Sequence, residues 1–168
     1  MSPLVDKHHI EASSTDWFIR AATPDEDDTI VRHYRALWKS YGVLDANIRS
    51  DADDLVRDFI ATGRANARMA GFVAERGAKI VGSIACQLQT LPYPDITTSV
   101  FRRYGYIWSV YVEPDARRMG IAGALVEAAL AHLRDIGCTK AVLHASDAGE
   151  NVYRDAGFKI AKEMRLDL

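Results

Sequence analysis

The chain has little cysteine: only Cys86 and Cys138, in apolar stretches and without metal-like spacing. They read as buried reduced thiols, not as a disulfide framework. Long hydrophobic runs are also missing; none approaches the ~18 residues that a bilayer span requires. The first residues carry no apolar stretch of the signal-peptide kind, so a cytoplasmic protein is expected. Nor does one sign of charge dominate, with 21 Lys and Arg against 23 Asp and Glu and a net charge of −2. That balance weighs against a nucleic-acid partner, and the missing apolar span against a membrane one. No internal repeat or low-complexity tract is present. A three-glycine dinucleotide fingerprint and a Gly-Lys-Ser/Thr phosphate loop are both absent.

What is present is ordinary for a globular protein: 168 residues, 48% hydrophobic and 26% charged. This length suits one domain with a sizeable core. Residues 1–16 are polar and aperiodic and read as a flexible tail, with His8-His9 solvated in it. The expected domain covers 17–168. It opens with a strand, Trp17 to Ala22. Thr23-Pro24-Asp25-Glu26 then reads as a helix start, with Thr23 as cap and Glu26 reaching back. Ile30, Tyr34, Leu37, Trp38 and Tyr41 follow near a 3.6 period. A second helix is expected from Asp51 to Thr62. Met69–Glu75 and Lys79–Leu88 form a hairpin around Arg76-Gly77. A loop from Thr90 to Tyr104 carries Arg102-Arg103, read as a solvated pair, with a contact to an acidic group left open. Gly105–Val112 and Cys138–Ala145 are further strands, separated by a long amphipathic helix. Asp147–Ala156 reads as a short helix with an Asp147-x-x-Glu150 cap, and Phe158–Leu168 as a last strand. The alternation of elements implies an α/β fold with a mixed sheet and helices on both faces.

One stretch stands out, Trp108 to Leu125. A β-branched and aromatic strand is ended by Pro114. A loop with Arg117 and Arg118 follows, then Gly120 and Gly123 opening the long helix. The first turn of a helix leaves amides unpaired and carries partial positive charge. Small residues there let an anion reach the backbone, and the arginines add charge-assisted donors. A tight strand-to-helix turn without a ligand would show the same two glycines.

With its surroundings, this stretch resembles the acetyl-CoA-binding motif of the GNAT (Gcn5-related) N-acetyltransferases. The family pattern Val-x-Pro, then Arg/Gln-x-x-Gly-x-Gly/Ala, is matched by Val112-Glu113-Pro114 and Arg117-Arg118-Met119-Gly120-Ile121-Ala122. A second signature, a helical tyrosine before a Gly-Phe, is matched by Tyr153 and Gly157-Phe158. The resemblance implies a mixed, mostly antiparallel sheet of six to seven strands, splayed between its two central strands. It implies acetyl-CoA as acyl donor, no metal, and an amine of a small molecule or protein as acceptor. Family members often pair, so a homodimer is within the expectation. Backbone groups of Val110, Tyr111 and Val112 would contact the pantetheine arm. Arg117, Arg118, Met119, Gly120, Ile121, Ala122 and Gly123 would hold the diphosphate. Ser146, standing where the family often has asparagine, and nearby Asn151 would assist. Tyr153 is the expected general acid. Trp38, Tyr41 and Asp45 border the region that forms the family's acceptor wall, though core aromatics and a solvated acid would look the same.

The base is where the sequence departs from the family. Positions that elsewhere hold a glutamate or histidine carry Tyr106 and Trp108, and another carries Ala141. Glu113 has the wrong strand parity unless a bulge turns it. Histidine is the side chain suited to proton transfer near neutrality, which makes His144 a candidate, yet a lone strand histidine is commonly structural. A water relay also stays open. So does a module that binds acyl-CoA without turning it over.

Overall fold

The computed structural model describes residues 16–168; the expected tail, with His8-His9, lies outside these except for Asp16. Asp16 accepts a hydrogen bond from Arg76 at 2.6 Å. Along the chain run β1 (Trp17–Ala21), α1 (Asp27–Ser40), α2 (Ala52–Asn66), β2 (Ala70–Arg76), β3 (Lys79–Leu88), β4 (Tyr104–Val112), α3 (Ile121–Asp135), β5 (Lys140–Val142) and α4 (Glu150–Asp155). The strands form one sheet in the order β1-β2-β3-β4-β5. The first three pairings are antiparallel and β4–β5 is parallel, with α3 as the crossover.

The apolar periodicities place a core on each face of the sheet. Against one face pack Ile121, Leu125, Val126, Ala129 and Leu133 of α3, all buried, with Ile84, Cys86 and Ile107 from the strands. Against the other pack Ile30, Val31 and Ile60 of α1 and α2, with Val73 and Ala85. Strand β3 is buried nearly throughout because both layers cover it. Strand β4 and α3 approach so closely at Gly105 that a Cβ there would stand 2.4 Å from a Leu133 methyl.

Several expectations need correction. Helix α1 is preceded by a 3₁₀ turn, Pro24–Glu26, instead of starting at Pro24. Glu26 does reach back, accepting from the Thr23 amide at 2.8 Å. Helix α4 begins after Gly149, so Asp147 is not its cap. Strand β5 is three residues long, not eight. The final strand does not form: residues 158–168 have no ladder partner among the described residues, and Ile160, Met164 and Leu166 are exposed. The sheet thus has five strands among the described residues, not six or seven. Alternation alone does not make a strand; its backbone groups need an edge to bond to. β5 pairs with β4 only from Lys140 to Val142.

Candidate functional site

The site is made by the way β4 parts from β5. Their ladder runs from Tyr104 opposite Lys140 to Tyr106 opposite Val142 and then stops. From Ile107 to Val112, β4 has β3 on one side and, among the described residues, no strand on the other. This is the expected splay. A bulge accompanies it: between the pairs Ala85–Trp108 and Ser83–Tyr111, one residue of β3 faces two of β4, Ser109 and Val110. Ser109 takes a left-handed φ of 56° to make the bulge. The extra residue flips strand parity, so Tyr111 and Glu113 share the α1 face with Tyr106 and Trp108. The parity objection to Glu113 therefore falls.

A cleft of about 710 Å³ fills the splay. That volume is in the range of small-molecule sites. Its walls include Val110, Tyr111 and Val112 of β4, then Arg117, Arg118, Gly120, Ile121, Ala122 and Gly123, then Ser146 and Tyr153. Thus most of the site residues expected from sequence surround one space. Met119 and Asn151 do not. Met119 packs against the α3-side core, and Asn151 is exposed on α4. Leu37, Ser40 and Tyr41 close the cleft from the end of α1. Ala116, Asp147, Ala148, Gly149 and Val152 also line it, although none is among the expected site residues.

The floor offers donors. Gly120 caps α3 with φ 81°, a conformation natural to glycine, and no side chain caps the helix. The first bond back along the helix is Ala124 N–H to Gly120 C=O at 3.1 Å. The amides of Ile121 to Gly123 are left for another acceptor. Acidic residues are absent from that turn, which keeps its positive end unopposed. Arg117 spends its Nε–H on the Val112 carbonyl at 3.0 Å, bracing loop against strand. Arg118 is exposed and forms no ion pair among the described residues.

Tyr153 stands across the cleft. Its ring packs edge-on against Phe158, with centroids 6.1 Å apart. Gly149 lets that ring sit close, since a Cβ there would come within 3.1 Å of it. Burial, with a further push from nearby Tyr41, raises the Tyr153 phenol to about 12. It therefore stays protonated at any physiological pH.

Behind β4, on the α1 side, lies a polar cluster that sequence reasoning missed. His33 of α1 is buried, its Nδ1 2.8 Å from Ser83 Oγ and its Nε2 3.3 Å from Glu113 Oε1. The Tyr111 hydroxyl donates to Glu113 at 3.3 Å, and the His33 and Tyr111 rings lie 4.8 Å apart. Burial outweighs the Glu113 charge and lowers His33 to about 4. A Ser-His-Glu set invites comparison with a hydrolytic triad, but Ser83 is wholly buried and no substrate can reach it. The cluster braces the bulged end of β4.

The other end of β4 carries a second chain of polar groups. The Tyr106 hydroxyl is 2.5 Å from His144 Nδ1, and His144 Nε2 is 2.6 Å from Glu163. Tyr34, Trp38, Tyr41, Phe59 and Trp108 form an edge-to-face aromatic wall nearby. Trp38 belongs to that wall but not to the cleft lining, and Asp45 belongs to neither.

Known proteins give this geometry a context. The model of the acetyltransferase (GNAT) family matches residues 30–158. The mycothiol acetyltransferase of Cellulomonas flavigena is 35% identical over 94 residues, which are 53% of this chain and 26% of that protein. The glucosamine 6-phosphate N-acetyltransferase of Trypanosoma brucei brucei is 33% identical over 98 residues, 58% of this chain and 63% of that protein. Each alignment thus spans less than two thirds of the relative. A predicted acetyltransferase from Clostridium acetobutylicum, whose crystal structure contains acetyl-CoA, superposes with a TM-score of 0.75 at 25% identity, covering 90% of this chain and 95% of that one. The family match covers well over half the chain and includes both β4 and Tyr153: the protein belongs to the GNAT acetyltransferase family.

Proposed function

We propose that the domain formed by residues 17–168 is an acetyl-CoA-dependent N-acetyltransferase acting on a primary amine. The observation that carries this reading is the single cleft that joins an unpaired strand edge, an uncapped helix N-terminus and a protonated tyrosine. Each part fits a different portion of acetyl-CoA. The backbone of Val110 to Val112 suits the amide-rich pantetheine arm. The amides of Ile121 to Gly123, with Arg118, suit the diphosphate. The Ser146 hydroxyl can donate to the arm. Bound there, acetyl-CoA supplies an activated acyl group.

The chain's own groups do the rest. An amide at the unpaired edge near Val112 receives the negative charge that builds on the thioester oxygen. Tyr153 gives its proton to the departing sulfur. The acceptor approaches from the α1 end, past Tyr41. The relatives' names point to small amines, an aminosugar among them. The test is release of CoASH from acetyl-CoA with a panel of aminosugars, alkylamines, cysteinyl compounds and lysine peptides. At least one class should raise release well above background. Tight acetyl-CoA binding with no acceptor in any class would favour a module that holds the cofactor without turnover.

A further inference from the structure

We infer that Tyr106, His144 and Glu163 form a proton relay that deprotonates the acceptor amine; the inference rests on the acetyltransferase reading above. Three separate elements supply the groups: β4, the segment after β5, and the C-terminal segment. The two contacts are short, 2.5 Å and 2.6 Å, and they use opposite nitrogens of one imidazole. Their chemistry fixes the direction. A carboxylate only accepts, so His144 Nε2 carries the hydrogen and donates it to Glu163. Nδ1 is then the acceptor, and the Tyr106 hydroxyl donates to it. The phenol oxygen keeps lone pairs for an incoming ammonium.

Tyr106 alone is a poor base. Burial raises it above its ordinary value, and Tyr34 and Glu163 push the same way. The histidine removes that obstacle. An acceptor N–H proton moves to the Tyr106 oxygen as the phenolic proton moves to His144 Nδ1. One N–H bond breaks, one O–H bond is exchanged, and one N–H bond forms. The imidazolium that results faces the Glu163 carboxylate, and His144 is exposed enough to return the proton to water. The freed amine lone pair can attack. Arg165 donates to the second Glu163 oxygen at 2.7 Å.

Tyr106, His144 and Glu163 stand outside the cleft lining, so the relay would meet the acceptor beyond the cleft's α1 end. Tyr34, close enough to bear on Tyr106, packs on Trp108 and Trp38. Trp38 meets Tyr41, which lines the cleft and bears on Tyr153. An aromatic wall thus leads from the relay to the acid. Stability offers no rival reason for the arrangement, because His144 and Glu163 are each about half exposed (54% and 53%). Exposed pairs of this kind contribute roughly 0–1 kcal/mol.

The test compares Tyr106→Phe, His144→Gln and Glu163→Gln with the unchanged full chain. CoASH release is followed from pH 6 to 10 with alkylamines (glucosamine 6-phosphate, tyramine, spermidine) and with hydroxylamine, whose nitrogen is already neutral. With an alkylamine near neutral pH, the first two variants should lose about 100-fold in kcat/KM and the third about 10-fold. The loss should shrink as pH rises through the amine's own ionisation and stay under about twofold with hydroxylamine. Affinity for acetyl-CoA should not change. Equal losses with both nucleophile types at every pH, or no loss with alkylamines, would overturn the relay while leaving the acetyltransferase reading intact. Failure of the unchanged chain to release CoASH with any of these probes would overturn both.

Discussion

The two ends of β4 solve different problems with different materials. From Val110 onward the strand, the loop and the start of α3 present backbone: an unpaired edge and amides without a cap. At Tyr106 the strand presents a side chain, engaged with two others from distant parts of the chain. A diphosphate has the same shape whatever the acceptor is, so a fixed set of amides can serve it. An acceptor amine must be oriented and deprotonated, which calls for groups that titrate. The bulge at Ser109 separates the two regimes. It lets one strand end turn Tyr111 and Glu113 toward His33 while the other keeps Tyr106 and Trp108 beside the aromatic wall.

That contrast can be broken in order of expected effect. Tyr153→Phe removes the proton proposed for the sulfur and should lower kcat by about 100-fold or more, with little change in the Kd of acetyl-CoA. Stopped-flow or thiol-release kinetics alongside a binding titration would separate the two; equal activity would remove the acid. The relay variants described above follow, with losses that depend on the acceptor.

Next is the brace behind β4. His33 is held near 4, below the ordinary histidine value of 6.5. Between those values the unfolded chain binds a proton that the folded chain refuses, so stability falls as pH drops from 6.5 toward 4. The loss should be a few kcal/mol at most. His33→Gln should flatten the unfolding midpoint over that window, even though the variant is less stable at pH 7. A midpoint that still falls as steeply would show that other groups set the slope.

The smallest effect belongs to Glu26, far from the cleft. Arg20 donates to it at 2.6 Å and, with Thr23, holds its carboxyl at about 2, below the usual 4.5. Its contribution is present above 4.5 and lost as pH falls through 2. Part-exposed, it should be worth about 1 kcal/mol or less. Glu26→Gln should lower the midpoint slightly at pH 7 and progressively less as pH falls toward 2, with cofactor affinity untouched.

How much could be read from the chain follows the same division. Gly120 and Gly123 are visible in sequence because the proposed backbone-built anion site would need small residues at fixed spacing. Tyr153 is visible because it is tied to Gly157-Phe158 within one short helix and turn. The hairpin strand Lys79–Leu88 is legible to the residue, since Arg76-Gly77 and the apolar run delimit it. The bulge is not legible: Ser109 is no glycine, and its left-handed φ comes from the mismatch between β3 and β4. Nor is the partnership of Tyr106 with Glu163, which lie 57 positions apart on a strand and a segment outside the sheet. The misjudged last strand has the same origin. Its alternation is real, but a strand needs an edge, and β5 is too short to provide one.

The central claim is that acetyl-CoA lies along the unpaired edge of β4 with its diphosphate on the first turn of α3. Gly123 offers a clean probe, because a Cβ there would meet nothing within 4 Å. In a helix, replacing glycine stabilises by up to about 1 kcal/mol, so Gly123→Leu should fold at least as well as the parent. Calorimetric titration with acetyl-CoA should give one saturable site in the parent and at least a 100-fold weaker one in Gly123→Leu, with no drop in melting temperature. Equal affinity in the two proteins would place the cofactor elsewhere and contradict the account.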